Sequence, residues 1–311
     1  MPHFNNLDKK LQIITLLGDS TIDNKFWVNE LFGAPQLSVV ENLIEMLPEH
    51  VIHDYSRDGF TTQDVLNGAY EDKVLAIKKY SLYPHEFLQP LKLAEESIKK
   101  SQYVIVSVGG NNVREFLMEA GNLEDWLRSD FINDNFEKML AKLRNEYVEI
   151  VHRIRTLNNS ARIILMTQYY PSESQHDYKI YQFMQELGEI LDFGVSSNNC
   201  MTVIHEIMKM IYNNIFERIP TENLVVADIT SSLNLYDDTN YVCQIEPSGS
   251  GGKKIAQMLK FMVSSHIVSD SKIYRFCPEF FGSKNQDQYV KVSNFNNWQP
   301  AHPWDLNDSY I

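Results

Sequence analysis

Short apolar runs recur along the chain, and each ends in a polar or glycine-containing loop. They are Leu11–Leu17, Val51–Tyr55, Tyr103–Val108, Arg162–Thr167 and Leu224–Asp228. Most lack the apolar–polar alternation of a half-exposed strand, and that is the pattern of strands buried on both faces of a parallel sheet. Helical patterns lie between them. Val39, Val40, Leu43, Ile44 and Leu47 share one stripe in Ser38–Leu47, as do Phe136, Leu140, Leu143, Tyr147, Ile150 and Ile154 in Asn135–Leu157. Ser248–Val263 predicts a last helix entered through glycine-rich turns. Alternating strands and helices imply right-handed crossovers and an α/β three-layer sandwich. Ligands of such folds sit at the carboxyl ends of the strands, so the residues just after each run are the ones to weigh.

Two segments exceed this plan. Residues 72–90 read as an insertion before the third strand. Residues 271–311, rich in Asn, Gln and aromatics, read as an extension that packs Phe276, Phe280, Tyr289 and Trp298 on a domain of residues 1–270. A partner-docking arm is the alternative for that tail, and burial is the simpler use of its aromatics.

Composition narrows the function. With 311 residues, 43% of them hydrophobic and 12% aromatic, the chain can build a core and is not a disordered segment. Lys and Arg number 28 against 41 Asp and Glu, a net charge of −13, which argues against nucleic acid or an anionic membrane as the general partner. Three cysteines without a C-x-x-C pair suggest reduced thiols rather than a disulfide frame or zinc site. The first residues carry no signal-peptide pattern and no apolar run is long enough to span a membrane, so a cytoplasmic location is expected, with export by a signal-less route left open. No Walker loop and no G-x-G-x-x-G follows a strand. Asp19, Asp58 and Glu246 lack the tight spacing of cation ligands, so neither cofactor nor metal is expected.

The chemistry-bearing residues stand at the strand ends. Gly18-Asp19-Ser20 follows the first run, where Ser20 reads either as a helix-capping serine or as an exposed nucleophile. Arg57-Asp58-Gly59-Phe60-Thr61-Thr62 follows the second. There Gly59 can bring a backbone N–H to a ligand and Thr61 or Thr62 can cap a helix, or the segment is a plain turn. Gly109-Gly110-Asn111-Asn112 follows the third, again a turn or a site where an asparagine amide donates to a developing oxyanion.

Three such segments in order, each after its own buried strand, resemble the GDSL/SGNH hydrolase superfamily over roughly residues 11–265. The resemblance implies a flavodoxin-like α/β/α sandwich with a five-stranded parallel sheet in order 2-1-3-4-5, and hydrolysis of a small-molecule ester or acyl group. By motif, Ser20 would be the nucleophile, Gly59 a backbone donor and Asn111 a side-chain donor, with Asp19, Asp58 and Asn112 beside the substrate. The departure is at the last block. Where the family has Asp-x-x-His, this chain has Cys243-Gln244-Ile245-Glu246-Pro247-Ser248, so Glu246 holds the histidine position and Cys243 the aspartate position. The frame IEPSxxGGxKIA is similar to a branch of the superfamily in which Glu-Pro-Ser is usual.

A carboxylate base needs no orienting partner, because it starts charged and ends neutral. An unperturbed glutamate is nonetheless a weaker base than histidine by about 3 kcal/mol, from reference pKa values near 4.3 and 6.5, and burial can recover part of that. Among histidines, His53 falls in a strand and His205 on a helix, so both read as structural. His176, after the fourth strand, is at the right edge to substitute as base or to contact substrate. The chain therefore reads as a serine hydrolase with an atypical triad. A silent binding protein for a carboxylate or acyl ligand, or an interaction scaffold docking a protein partner through the 271–311 extension, are the alternatives.

Overall fold

A computed structural model describes residues 11–30, 36–69, 89–119, 130–172, 197–216, 219, 223–233, 237–242, 245–264, 272–276 and 289–292. In chain order the elements are β1 (Gln12–Gly18), α1 (Val39–Met46), β2 (His50–Asp54), α2 (Thr62–Asn67), α3 (Pro90–Leu93) and α4 (Glu95–Ile98). There follow β3 (Tyr103–Ser107), α5 (Gly110–Glu119), α6 (Asp130–Leu157), β4 (Arg162–Met166), α7 (Ser197–Ile215) and β5 (Leu224–Asp228). The last are β6 (Tyr241–Val242), β7 (Glu246–Pro247), α8 (Gly249–Ser264), β8 (Lys272–Phe276) and β9 (Tyr289–Val292).

The five apolar runs are the first five strands, and they pair in parallel in the order β2-β1-β3-β4-β5. The sheet does not stop at five. β8 pairs parallel with β5, and β9 returns antiparallel on β8, so the C-terminal extension adds two strands to the sheet. The aromatics of that segment named above lie outside the residues whose side chains are described, as does the 72–90 insertion apart from its last two residues.

Successive residues of each strand face opposite layers, as the two-residue period requires. Leu17, Val104, Val106, Ile163, Leu165, Leu224 and Val226 pack toward α2, α3, α4, α6 and α7. Ile14, Leu16, Ile105, Ile164, Met166, Val225 and Ala227 pack on the other side, against α1 and α8. β3 and β5 are buried along their whole length, whereas β2, at the sheet edge, is half-buried throughout. This is a three-layer α/β/α sandwich. Among the described residues no helix is long and apolar enough to cross a membrane.

Two sequence readings are corrected here. Gly109-Gly110-Asn111-Asn112 is not a free turn, because α5 begins at Gly110 and both asparagines lie in its first turn. Gly249–Gly252 is not a turn either, because α8 starts at Gly249 and runs through these glycines. Their smallness serves packing, since a Cβ on Gly251 would lie 2.2 Å from the Asn240 carbonyl oxygen.

Candidate active site

The loops after β1, β2 and β3 meet at the carboxyl edge of the sheet. Gly18 lets β1 cross β3 closely, since a Cβ there would sit 2.1 Å from the Ser107 carbonyl oxygen. The chain then turns at once: Asp19 N–H donates to Ser107 O (2.9 Å), and the Ile22 and Asp23 N–H groups donate back to Asp19 O (3.1 and 3.0 Å). The buried Asp19 carboxylate accepts from Thr21 N–H (3.1 Å). Asp19 thus shapes the turn that presents Ser20, which is half-buried at its crest.

The loop after β2 is tied to this turn. Arg57 N–H donates to Gly18 O (2.8 Å), and Asp58 N–H donates to the Asp23 carboxylate (3.0 Å). Gly59 has φ +78, a conformation open to glycine at little cost, and it turns the chain toward α2. Asn111, from α5, donates through Nδ2 to Phe60 O (3.1 Å), so the second and third segments are joined beside Gly59. Asn112 has a different use. Its Oδ1 accepts from Thr62 N–H (3.0 Å) and its Nδ2 donates to Thr62 Oγ1 (2.9 Å), so both ends of its amide hold the start of α2.

Glu246 reaches the same edge from β7, a strand of two residues paired only with β6. The rest of the Glu-Pro-Ser frame explains itself in contacts. Pro247 O accepts from Asn24 Nδ2 (2.9 Å), whose Oδ1 accepts from Val39 N–H (2.9 Å), so Asn24 links the loop after β1, the Glu246 segment and α1. Ser248 caps α8, its Oγ accepting from Gly251 N–H (3.1 Å) while it donates to Thr239 O.

The electrostatics follow from burial. Glu246 is 5% exposed and its Oε2 has no hydrogen-bond partner. Burial first, then the neighbouring charges of Asp58 and Asp19, push its carboxyl well above the usual range. A hydrogen bond from the Ser20 side chain and the Arg114 guanidinium oppose the shift. Asp58 is raised to about 6 by burial, opposed by the Trp27 indole N–H, the Arg114 cation and the Gly59 N–H. Burial raises Asp19 and Asp23 to about 7. Burial thus favours the neutral acid form of Glu246 over a wider pH range than for an exposed glutamate, and the group gains basicity only as it ionises.

Of the residues weighed in sequence, Ser20, Asp19, Asp58, Gly59, Asn111 and Glu246 gather at this edge, and Asn112 stands just behind it. His53 is bonded through Nδ1 to Ser97 Oγ (2.7 Å), and His205 through Nδ1 to the Tyr170 hydroxyl (2.7 Å), both away from Ser20 in structural roles. His176 and Cys243 lie outside the described residues. Sequence reasoning passed over Arg114, Trp27, Asn24 and Tyr169. Arg114 carried a faint signal, standing one helical turn beyond Asn111, but the other three have only long-range roles. Among the described residues no group of three His, Cys, Asp or Glu side chains is placed to hold a metal ion.

No family model and no curated protein matches the sequence. Solved structures similar to it include an extracellular lipase from Streptomyces rimosus, at 13% identity over 80% of this chain and 98% of that one, TM-score 0.47. Another is phospholipase A1 from Streptomyces albidoflavus NA297, at 13% identity over 81% and 99%, TM-score 0.46. A third, from Parabacteroides merdae, is described as a GDSL-like lipase, at 12% identity over 82% and 96%, TM-score 0.42.

Proposed function

We propose that the chain is a serine hydrolase of the GDSL/SGNH type acting on a small ester or acyl group. The observation that carries this reading is that Asn24, in the loop after β1, bonds Pro247 O and so brings the Glu246 segment to the loop that presents Ser20, 226 positions away in the chain. In this reading ionised Glu246 takes the Ser20 proton as Oγ attacks the acyl carbon. The second Nδ2 proton of Asn111 receives the oxyanion, joined by the Gly59 N–H as it turns from the Asp58 carboxylate to the substrate. The ester C–O bond then breaks, the alcohol leaves with the proton held by Glu246, and water attacks the acyl-serine by the same route in reverse. Hydrolysis of short-chain p-nitrophenyl esters tests it. Ser20→Ala should lower kcat by at least about a thousandfold, as loss of a nucleophile does. Equal turnover in that variant would remove the assignment.

One observation favours a second reading, a binding protein for a carboxylate or acyl ligand. Burial raises the pKa of Glu246, and the neutral form that this favours donates to a bound carboxylate rather than accepting a proton. Ligand retention by Ser20→Ala, together with no hydrolysis by the unmodified chain, would select it.

A further inference from the structure

Tyr169, in the loop after β4, reaches the segment that carries Glu246. Its hydroxyl donates to the carbonyl of Ile245, the residue before Glu246 (2.5 Å). The ring lies tilted against Tyr241, with centroids 6.3 Å apart, and Tyr241 pairs with Pro247 across the β6–β7 ladder. That ladder is only two residue pairs long and fixes its register weakly on its own. Glu246 is instead clamped from both sides, its preceding carbonyl held by Tyr169 and its following one by Asn24.

We propose that Tyr169 is a positioning residue, which fastens the Glu246 segment to the loop after β4 and keeps water from the Glu246 carboxyl. Its kinetic consequence rests on the hydrolase reading, but its geometric consequence does not. Tyr169 is not itself a base: burial holds its phenol proton well beyond the ordinary tyrosine range, so it remains a neutral donor. The groups facing Glu246 are Asp58 and Asp19, which raise its pKa, and Ser20 and Arg114, which lower it, with burial the largest influence. Tyr169→Phe leaves all of these in place and removes only the bond to Ile245. The loosened segment admits water, the burial effect shrinks, and Glu246 ionises at lower pH.

The experiment is a titration of Glu246 by carbon-13 NMR on glutamate-labelled protein, assigned with Glu246→Gln, run on the unmodified chain, Tyr169→Phe and Tyr241→Leu. Alongside it, the pH profiles of kcat and KM are measured on p-nitrophenyl acetate. Tyr169→Phe should lower the Glu246 midpoint, move the rising limb of kcat to lower pH and reduce the plateau kcat about tenfold, with KM changing less. Tyr241→Leu, which keeps the phenol bond, should shift the midpoint less. An unmoved midpoint in Tyr169→Phe, or an equal shift in both variants, would overturn the proposal. The titration needs no turnover, so an unmodified chain without hydrolysis overturns the hydrolase reading while the role of Tyr169 is still decided.

Discussion

At the scale of single residues, the site depends on a few atoms that tolerate no substitute. Gly18→Ala would drive a methyl into the Ser107 carbonyl oxygen at 2.1 Å, between the two strands that carry Ser20 and Asn111. We expect that variant to lose several kcal/mol of stability, read from chemical unfolding, because backbone rather than a flexible side chain must move. Asn111→Ala should unfold almost as the unmodified chain does but lose about a hundredfold in kcat, the cost of one oxyanion donor. Ser20, Gly59 and Asn111 stand out in the sequence as candidates because each follows a buried strand at the edge where α/β sheets bind ligands, whereas Glu246 stands out only through the resemblance of its segment to the last block of the superfamily. Arg114, Trp27, Asn24 and Tyr169 do not stand out, since their parts depend on contacts with residues far away in the chain. Neither could the sequence foresee that both ends of the Asn112 amide serve Thr62, which is a matter of local capping.

At the scale of elements, the strands were easier to read than the short helices. Buried parallel strands are continuous apolar runs, and their predicted limits fall within a residue or two of those observed. β8 and β9 were hidden because Lys272–Phe276 mixes charged and apolar residues in a polar tail, which gives no such run. The first helical glycines of α8 were read as a turn because glycine is usually a helix breaker, whereas here close approach to Asn240 demands it. Capping was legible. Thr61 accepts from Asp64 N–H (3.2 Å) and the Asp64 carboxylate accepts from Thr61 N–H (2.8 Å), a reciprocal pair at the start of α2. Thr61→Ala should cost about 1 kcal/mol in urea unfolding. Because α2 begins just after Gly59, the same variant should also raise KM for esters more than Thr156→Ala, a change near the far end of α6.

At the scale of the molecule, the loops of the carboxyl edge enclose five buried or partly buried carboxyl groups, Asp19, Asp23, Asp54, Asp58 and Glu246, all shifted upward by burial. The unfolded values are near 4, while Asp19 and Asp23 titrate at about 7 and Asp58 at about 6 in the folded chain. The folded chain therefore holds more protons than the unfolded one between those limits. Their stabilising contribution is complete below about 4 and is lost as pH rises toward 7, an effect on the order of a few kcal/mol. The lowered pKa values of Glu41 and Asp237 act in the opposite sense and only in more acidic solution. Thermal unfolding should show a Tm several degrees higher at pH 5 than at pH 8, and Asp23→Asn should flatten that slope. A Tm that rises between pH 5 and 8 would mean that these carboxyls are hydrated or paired in the folded chain.

The most direct measurement of the central claim is the rate at which a fluorophosphonate labels Ser20 between pH 5 and 9, in the unmodified chain and in Glu246→Gln. Labelling should fall on Ser20 alone, accelerate with pH as the Glu246 and Asp58 carboxyls ionise as a coupled pair, and nearly vanish in Glu246→Gln. Labelling at a rate indifferent to both pH and Glu246, or no labelling of Ser20 at any pH in that range, would contradict it.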